Sequence, residues 1–424
     1  MTTFSEMLTQ NIAIKNDIKD ALSMQQSMDG VKFDEYADII RGALTKRWGI
    51  RIAKADSNPE TRVTYLYDAV GMTPAKMNFI SGEFEYGDWK PFCDAFNRPV
   101  MLKYNGDVDY ELHRDDQTKK LDGVTASDVA NTAYGGNAMA EFRRLWLRTY
   151  EDATYQYIIF SNVQYDENYH ANAFTDATGQ IADKMYYAMF EGSNVSSKLR
   201  SIAAGAVMTN QTAATEISRA EANGAGWHIN YKSQRDFITY LLALISKSTN
   251  SQAVFGQGNS NSAAHIAPGA LKATGRFFGY SDTDKSVKVF FIENYWGNYW
   301  KRLSGLLYND AAKILIKSIP PYSLTGAGYT NTGVTPTGTS GQYITAGTLT
   351  DAGFIPTTAG GSDSTYFADG LYYSTPAAGV FHVALVGGFR GTAGKCGSWA
   401  CILNDAGVAL PDVGASLSFL KYAV

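Results

Sequence analysis

Cysteine is scarce in this chain: only 3 of 424 residues are cysteines, namely Cys93, Cys396 and Cys401. Three cysteines allow at most one disulfide bond within the chain, so a heavily cross-linked scaffold is excluded and stability must come from burial of apolar side chains. Such a count fits folding in a reducing cytosol.

The chain also has no large excess of positive or negative charge. Lysine and arginine number 37 against 41 acidic residues, and no long run of either sign occurs. Proteins that bind nucleic acid or anionic membranes display clustered positive charge. The sequence therefore predicts neither partner.

Long apolar runs are absent as well. No segment approaches the roughly 20 consecutive apolar residues that a membrane-spanning helix needs. The opening residues, MTTFSEMLTQNIAIKND, lack the basic leader and apolar stretch of a secretion signal. We therefore expect a soluble protein without membrane insertion, which would leave a cell by a route such as assembly into a particle released by lysis.

Apolar and aromatic residues are abundant, at 45% and 13% of the chain, enough for one large domain or two modest ones. Apolar residues at helical spacing predict an amphipathic helix from Phe4 to Met24 and a short one from about Asp34 to Leu44. Short helices with a narrow apolar stripe need partners, so we assign residues 1–58 to assembly or attachment and expect a homo-oligomer, with a trimer as the leading candidate.

The rest of the chain reads as an irregular mixture of strands and helices. Residues 59–125 are predicted to be β-rich, with a hairpin turn at Asn105-Gly106. In residues 126–424 we predict a helix containing GNAMAEFRRLWL, a core helix over residues 237–249, an ordered loop region with short strands over 323–374, and a terminal strand in SLSFLKY. The irregular alternation predicts an α+β fold with long loops, not a doubly wound sheet.

Within the string IENYWGNYWKRLSG, residues 292–305, the residues Glu293, Trp296, Gly297, Asn298 and Trp300 place aromatic bulk, one carboxylate and one amide close together. A catalytic carboxylate would need a partner acid or base close by, and none is visible. We therefore expect Trp296 and Trp300 to fill the core, and Glu293 and Asn298 to satisfy buried backbone groups.

Three strings together resemble a known family: Glu293 to Trp300 (ENYWGNYW), Val386 to Gly391 (VGGFRG) and Val413 to Phe419 (VGASLSF). They are similar to the C-type lectin fold in its formylglycine-generating-enzyme-like form, and more narrowly to the variable proteins that diversity-generating retroelements target in phages of gut bacteria. The resemblance covers roughly residues 155–424 and, weakly, the first forty or so.

The resemblance implies a rigid scaffold whose last strands and loops, about residues 370–420, carry a diversified surface that selects a host receptor. Framework positions would be Gly387, Gly388, Trp399, Leu403, Gly414 and Leu417, together with the ENYWGNYW residues. The candidate contact positions are Tyr372, Tyr373, His382, Phe389, Arg390, Thr392, Lys395, Ser398, Asn404 and Asp405. The glycine-interleaved run GGFRGTAGKCGSW supports such a surface, because turns hold the backbone while unlike side chains project from it.

The spacing of Cys396 and Cys401 leaves an enzymatic alternative open. Formylglycine-generating enzymes use two cysteines five apart near the C-terminus to hold copper, and thiolates suit Cu(I). The intervening residues lack the arginine- and tyrosine-rich context of those enzymes. We therefore expect no catalytic residues, and a copper-dependent oxidase remains a remote alternative.

Other apparent chemistry is weaker. The sets His113, Asp115, Asp116 and Asp166, Glu167, His170 lack a full metal-ligand pattern, so we assign no metal and no cofactor, although calcium stays open. The loop Gly256-Gln257-Gly258 has neither the lysine nor the helix start of a phosphate site. Five scattered histidines without a nucleophile elbow do not support a Ser-His-Asp triad.

The sequence therefore predicts a phage virion protein, of the tail or a fibre, made in the host cytoplasm. Its partners would be a host-surface protein or glycan and other virion proteins. A structural decoration protein of the virion without a receptor role is the alternative.

If the surface is actively diversified, codon changes should concentrate in residues 380–412, at positions between the framework glycines and Trp399. Deep sequencing of the locus in a population of its source measures this. A uniform spread of substitutions along the gene would contradict active diversification.

Overall fold

The computed structural model describes residues 44–421. By contacts the chain divides into two units, residues 1–46 and 47–424, and the account below concerns the second. The helices predicted for Phe4–Met24 and for about Asp34–Leu44 lie outside the described residues, apart from Leu44 itself.

The described part of the chain is mixed α+β with few helices and mostly strands, 11% helical and 36% strand, and its large sheet is curled. The helices are α1 Lys90–Phe96, α2 Ala213–Glu221, α3 Lys232–Ser246 and α4 Ser251–Phe255. The strands are β1 Arg47–Ala53, β2 Val63–Tyr67, β3 Lys76–Asn78, β4 Glu83–Glu85, β5 Asn97–Lys103, β6 Val108–Glu111, β7 Gly136–Arg143, β8 Trp146–Glu151, β9 Tyr155–Ser161, β10 Lys184–Ala188, β11 Ser193–Val195, β12 Lys198–Arg200, β13 Trp227–Ile229, β14 Lys288–Val289, β15 Ile292–Glu293, β16 Trp300–Asn309, β17 Ile314–Ile316, β18 Thr330–Asn331, β19 Thr337–Gly338, β20 Gln342–Thr350, β21 Gly353–Gly361, β22 Gly370–Tyr373, β23 Phe381–Val386, β24 Cys401–Asp405, β25 Val413–Gly414 and β26 Leu417–Leu420.

Three large sheets hold most of these strands, and β3-β4, β11-β12 and β14-β15 form two-stranded sheets. An antiparallel four-stranded sheet has the order β2-β1-β9-β8, and an antiparallel six-stranded sheet has the order β13-β26-β10-β7-β5-β6. The largest sheet follows the path β18-β17-β16-β23-β24-β22-β20-β21-β19, and β25 pairs with β16. This sheet is mixed, because β16 and β25, β22 and β24, and β19 and β21 pair in parallel.

Helix α3 lies at the centre of the core, and the prediction of a buried helix here is confirmed. It is buried on almost every side, which its nearly continuous apolar sequence permits. The Phe237 ring meets the rings of Phe142, Phe160 and Phe174 at centroid distances of 5.2–6.3 Å. Lys247, with a φ of 53°, ends the helix in a left-handed conformation.

The predicted helix containing GNAMAEFRRLWL was wrong, because residues 136–143 form strand β7 and residues 146–151 form β8. β7 lies between β5 and β10 and is buried along seven of its eight residues. A strand covered on both faces shows no period-two alternation, so its sequence resembles that of a buried helix. Tertiary pairing then decides between the two.

Other expectations are confirmed. Asn105-Gly106 joins the paired strands β5 and β6, with Gly106 at a φ of 81°, and β26 ties the end of the chain into the six-stranded sheet. The region 323–374 is ordered as expected, but β20 and β21 are nine residues long and so not short. Strands from both sides of residue 125 share the six-stranded sheet, so the segments divided at that residue belong to one compact unit.

Candidate functional site

A groove of about 370 Å³ opens on the large sheet where the C-terminal strands meet β16. Its floor is apolar and aromatic, and a few polar side chains stand at its rim. The residues that line it are Trp300, Leu385, Phe389, Ile402, Asn404, Asp405, Ala406, Val408, Leu410, Pro411, Asp412 and Val413. A concave apolar surface with a few polar groups is the usual form of a ligand site.

Strand pairing sets the floor of this groove. Leu385 of β23 lies opposite Ile402 of β24, and Trp300 at the start of β16 lies opposite Val413 of β25. The Trp300 N–H donates to the carbonyl of Asp412. Because these residues belong to paired strands, the floor is held by the sheet itself.

Aromatic contacts complete the floor. The ring of Phe389 lies 6.3 Å from that of Trp300, and the ring of Tyr372 meets Trp300 edge-on at the same distance. Trp300 is only 4% exposed, whereas Phe389 and Tyr372 are half-buried. A ligand in the groove would therefore meet Phe389 more than the tryptophan beneath it.

A buried ionic cluster supports the groove from below. The Arg302 guanidinium on β16 lies 2.8 Å from Asp405 Oδ2 and 2.9 Å from Glu216 Oε1, and all three side chains are buried. It also donates to the carbonyls of Gln211 and Val408. One arginine thus fixes the loop after β24, from which the groove wall is built.

Burial also changes the pKa of Glu216, the acid of this cluster that does not line the groove. Desolvation raises the pKa of Glu216 to about 7, even though the neighbouring Arg302 acts to lower it. The cost of removing the carboxylate from water therefore exceeds the attraction of the arginine, a common outcome for buried ion pairs.

Asp412 links the groove to a second polar cluster that the sequence did not reveal. Its Oδ1 lies 2.9 Å from Nε2 of His265, and the imidazole stacks on the ring of Tyr299 at 3.7 Å. His265 Nδ1 lies 2.9 Å from the Asn298 carbonyl, and Arg390 Nη2 lies 3.8 Å from the same Asp412 oxygen. His265 and Asp412 are 147 residues apart, and no local pattern marks them.

The structure brings three of the ten candidate contact positions, Phe389, Asn404 and Asp405, into the groove wall. Arg390 belongs to the neighbouring cluster around Asp412. Tyr372 packs against Trp300.

The two remaining partly exposed positions lie beside β22. The Lys395 ammonium lies 5.8 Å from the ring centres of both Tyr343 and Tyr372. The Tyr373 hydroxyl donates to the Gly338 carbonyl.

Four of the ten candidates are buried, so they differ from the expected exposed contact positions. His382 Nδ1 lies 3.1 Å from the Leu403 carbonyl, and Thr392 Oγ1 donates to the Phe389 carbonyl. Ser398 is 5% exposed, and Asp405 is 3% exposed and bound to Arg302. Each has a polar side chain on a strand or turn that packs inward, so all four support the surface from within.

The expectation for Glu293 is confirmed by its contacts. The buried carboxylate accepts hydrogen bonds from three consecutive backbone N–H groups, those of Gly269, Ala270 and Leu271. Desolvation raises the pKa of Glu293, although these bonds and the nearby Lys288 act to lower it.

The Asn298 side chain also binds a backbone group, as expected. It contacts Glu191 as well, a buried residue that the sequence analysis did not single out. Asn298 Oδ1 accepts from the Ile266 N–H, and Asn298 Nδ2 donates to Glu191. Glu191 is buried, 3.0 Å from the Lys301 ammonium, and also accepts from Asn294. Trp296 is fully buried and donates to the Gly256 carbonyl.

The other framework positions are buried as expected. Gly387 and Gly388 have φ angles of 88° and 83°, and a Cβ at Gly388 would lie 2.4 Å from Cys396 Sγ. Trp399 packs against Phe354 and Phe367. Leu403, Gly414 and Leu417 are also buried.

Cys396 and Cys401 are free, buried thiols. Desolvation raises the pKa of each to about 12. Cys396 contacts Thr392 Oγ1 at 3.0 Å. Since metal binding and nucleophilic chemistry need the thiolate, this environment favours two inert core cysteines.

The acidic turns hold their own backbone. Asp116 accepts from the N–H and hydroxyl of Thr118, and Asp166 accepts from the Asn168 N–H. Within residues 44–421, no group of three or more His, Cys, Asp or Glu side chains is arranged to hold a metal ion. In the same range, no helix is long and apolar enough to cross a bilayer.

No protein-family model matches the chain, and no curated protein shows significant similarity to it.

Replacing Gly388 with alanine should destabilise the fold far more than replacing Gly379. Both residues have positive φ, 83° and 75°, but a Cβ meets Cys396 Sγ at Gly388 and nothing within 4 Å at Gly379. We expect a loss of about 1 kcal/mol at Gly379 and at least about 3 kcal/mol at Gly388, measured by urea denaturation. Equal losses of stability for the two variants would show that a Cβ at residue 388 does not clash with Cys396.

Stability should fall as pH rises through the range in which Glu216 titrates. Its pKa in the folded protein is about 7 against an ordinary value of 4.5, so between these values the folded state binds more protons than the unfolded state. Between pH 5 and 7.5, wild type should lose roughly 2 to 3 kcal/mol more than Glu216→Gln in the free energy of unfolding. Parallel pH profiles for the two proteins would refute this assignment.

Proposed function

We propose that this chain is a phage virion protein that binds a host-surface receptor through the groove on its C-terminal face, in a fold of the C-type-lectin-like, formylglycine-generating-enzyme-like type. The part of residues 1–58 that precedes β1 joins it to the particle or to its own copies, as a homotrimer, because residues 47–58 belong to the compact unit. The protein is not an enzyme.

The observation that carries this proposal is the groove, since its wall combines candidate contact positions with residues of neighbouring segments. Phe389 comes from the turn after β23, Asn404 from β24, and Leu410 and Asp412 from the segment before β25. Recognition surfaces are commonly built from loops on a rigid scaffold. An aromatic and apolar floor with a polar rim suits either a protein or a glycan ligand.

Rigid support beneath the groove favours binding as its role. Arg302, Lys301 and Trp300 follow one another on β16 and are all buried, and the first two are bound to carboxylates. A recognition surface whose base is already ordered loses less entropy when it binds.

Bulky cations placed on the exposed wall of the groove should abolish receptor binding without unfolding the protein. Asn404 is exposed and Val408 is 51% exposed, so Asn404→Arg and Val408→Arg require no repacking of the core. We expect adsorption of phage particles carrying either variant to host cells to slow at least about tenfold. The measurement is the loss of free particles over time after mixing with cells.

Val124→Arg is the matched control, because Val124 is 78% exposed in a loop outside the groove. Particles carrying it should assemble and adsorb like wild type. If the groove variants instead prevent incorporation into particles, the groove is a contact between virion subunits and the protein is a decoration protein. Adsorption at the wild-type rate would overturn the receptor-binding role of the groove.

A further inference from the structure

The outer face of the four-stranded sheet carries aromatic and arginine side chains in alternation. Register places Arg51 of β1 opposite Tyr157 of β9, and Tyr157 opposite Tyr150 of β8. Because side chains alternate between faces with a period of two, Arg47 and Tyr155 share this face with them. Trp146 and Arg148 of β8 do so as well. The opposite face, with Ile50, Ile52 and Phe160, belongs to the core.

These side chains stack on one another. The rings of Tyr150 and Tyr157 lie parallel, 4.5 Å apart with 5° between their planes. Arg148 covers the Tyr150 ring at 4.7 Å, and Arg51 covers the Tyr155 ring at 4.6 Å. The sheet thus carries an ordered layer of cation–π pairs.

The layer continues at the edge of the sheet. The Arg47 guanidinium lies between the rings of Tyr67 and Tyr165, 4.1 and 4.0 Å from their centres. These two tyrosines are 42% and 50% exposed. The exposed layer therefore extends beyond the strands to Tyr165.

Stacking determines what this layer offers to a partner. The ring faces of Tyr150 are occupied by Tyr157 and Arg148, so it presents its edge and hydroxyl to solvent. Nucleic-acid bases bind aromatic side chains by stacking on a free ring face. Stacked bases are therefore a poor fit here, and groups that approach from above and accept hydrogen bonds are a better one.

One of the three arginines of the layer is paired with a carboxylate, and polar groups beside the layer are paired as well. Arg148 lies 3.7 Å from Asp166, Lys54 lies 3.4 Å from Glu151, and the Tyr157 hydroxyl donates to Asp152. A polyanion would meet these carboxylates as well as the cations. The mixture of charges with tyrosine, tryptophan and arginine is instead typical of protein interfaces.

Among the described residues, no carboxylate is paired with Arg47, which lies against two tyrosine rings, or with Arg51. Arg51 is the less satisfied of the two. Within residues 44–421 its guanidinium has no hydrogen-bond or ion-pair partner, and its Nε is buried without an acceptor. A buried donor without an acceptor is costly, so most such donors in folded proteins have one. The two terminal nitrogens of the Arg51 guanidinium are not buried, so a carboxylate from outside would reach them and form charge-assisted bonds.

We propose that this face, formed by Arg47, Arg51, Trp146, Arg148, Tyr150 and Tyr157, docks a different protein that places a carboxylate on Arg51. A second copy of this chain fits less well, because the carboxylates beside the face, those of Asp152, Asp166 and Glu151, are already bound within the chain. The partner is thus a protein segment that combines an acidic residue with apolar neighbours. This docking does not depend on receptor binding by the C-terminal groove.

The test is selection of a random library of displayed 12-residue peptides on the full-length protein. We expect enrichment of peptides that carry Asp or Glu beside aromatic or aliphatic residues. Affinity of the enriched peptides should fall about tenfold for Arg51→Gln and also fall for Arg148→Gln. Arg219→Gln, which removes an arginine from α2 outside this sheet, should bind like wild type. Unfolding midpoints equal to wild type would show that the variants fold.

Peptides that bind the C-terminal groove would be unaffected by Arg51→Gln and lost with Val408→Arg, so the two sites are separable. Selection without acidic peptides, or acidic peptides indifferent to Arg51→Gln, would overturn the proposal. So would a stronger response of this face to single-stranded DNA or heparin than to the peptides, or self-association in sedimentation that Arg51→Gln abolishes.

Discussion

Irregular backbone passes through the interior of this protein, and the need to satisfy its buried N–H and C=O groups constrains everything built upon it. Between α4 and β16 the chain forms only the two-residue strands β14 and β15, yet much of it is buried. Glu293 holds three successive N–H groups there, and Asn298 holds both the N–H and the carbonyl of Ile266. Side chains thus replace the hydrogen bonds that a helix or a sheet would supply.

The same principle operates on both sides of the candidate groove. Arg302 binds loop carbonyls and carboxylates from within, and Asp412 binds His265 at the surface. Buried polar networks cost free energy unless every member is satisfied. Desolvation raises the pKa of Glu216 in spite of Arg302, so burial of this carboxylate is costly even beside its partner. Such a network fixes one loop geometry, which a recognition surface requires.

The sequence predicted the structure correctly where residues close together in the chain determine it. The nearly continuous apolar run of α3, the Asn105-Gly106 turn and the aromatic string around Trp296 each led to the correct expectation. The mixed α+β class also followed, because the order of elements alone excludes a doubly wound sheet.

Local signals failed where distant partners decide. β7 resembles a helix in sequence because pairing with β5 and β10 buries both of its faces. Among the candidate contact positions, Asp405 proved to be buried because Arg302, 103 residues away, binds it. In a glycine-rich tract, the local sequence of a polar residue is the same whether its side chain points to solvent or to the core. The sequence of the tract therefore could not show which of its polar residues are buried.

Strand β26 lies inside the six-stranded sheet, between β13 and β10, although it ends near residue 420 and β10 begins at residue 184. That sheet is therefore completed only by a strand more than 200 residues further along the chain than β10. A chain cut short in the tract between β23 and β26 would expose the unpaired edges of β10 and β13, which invites aggregation.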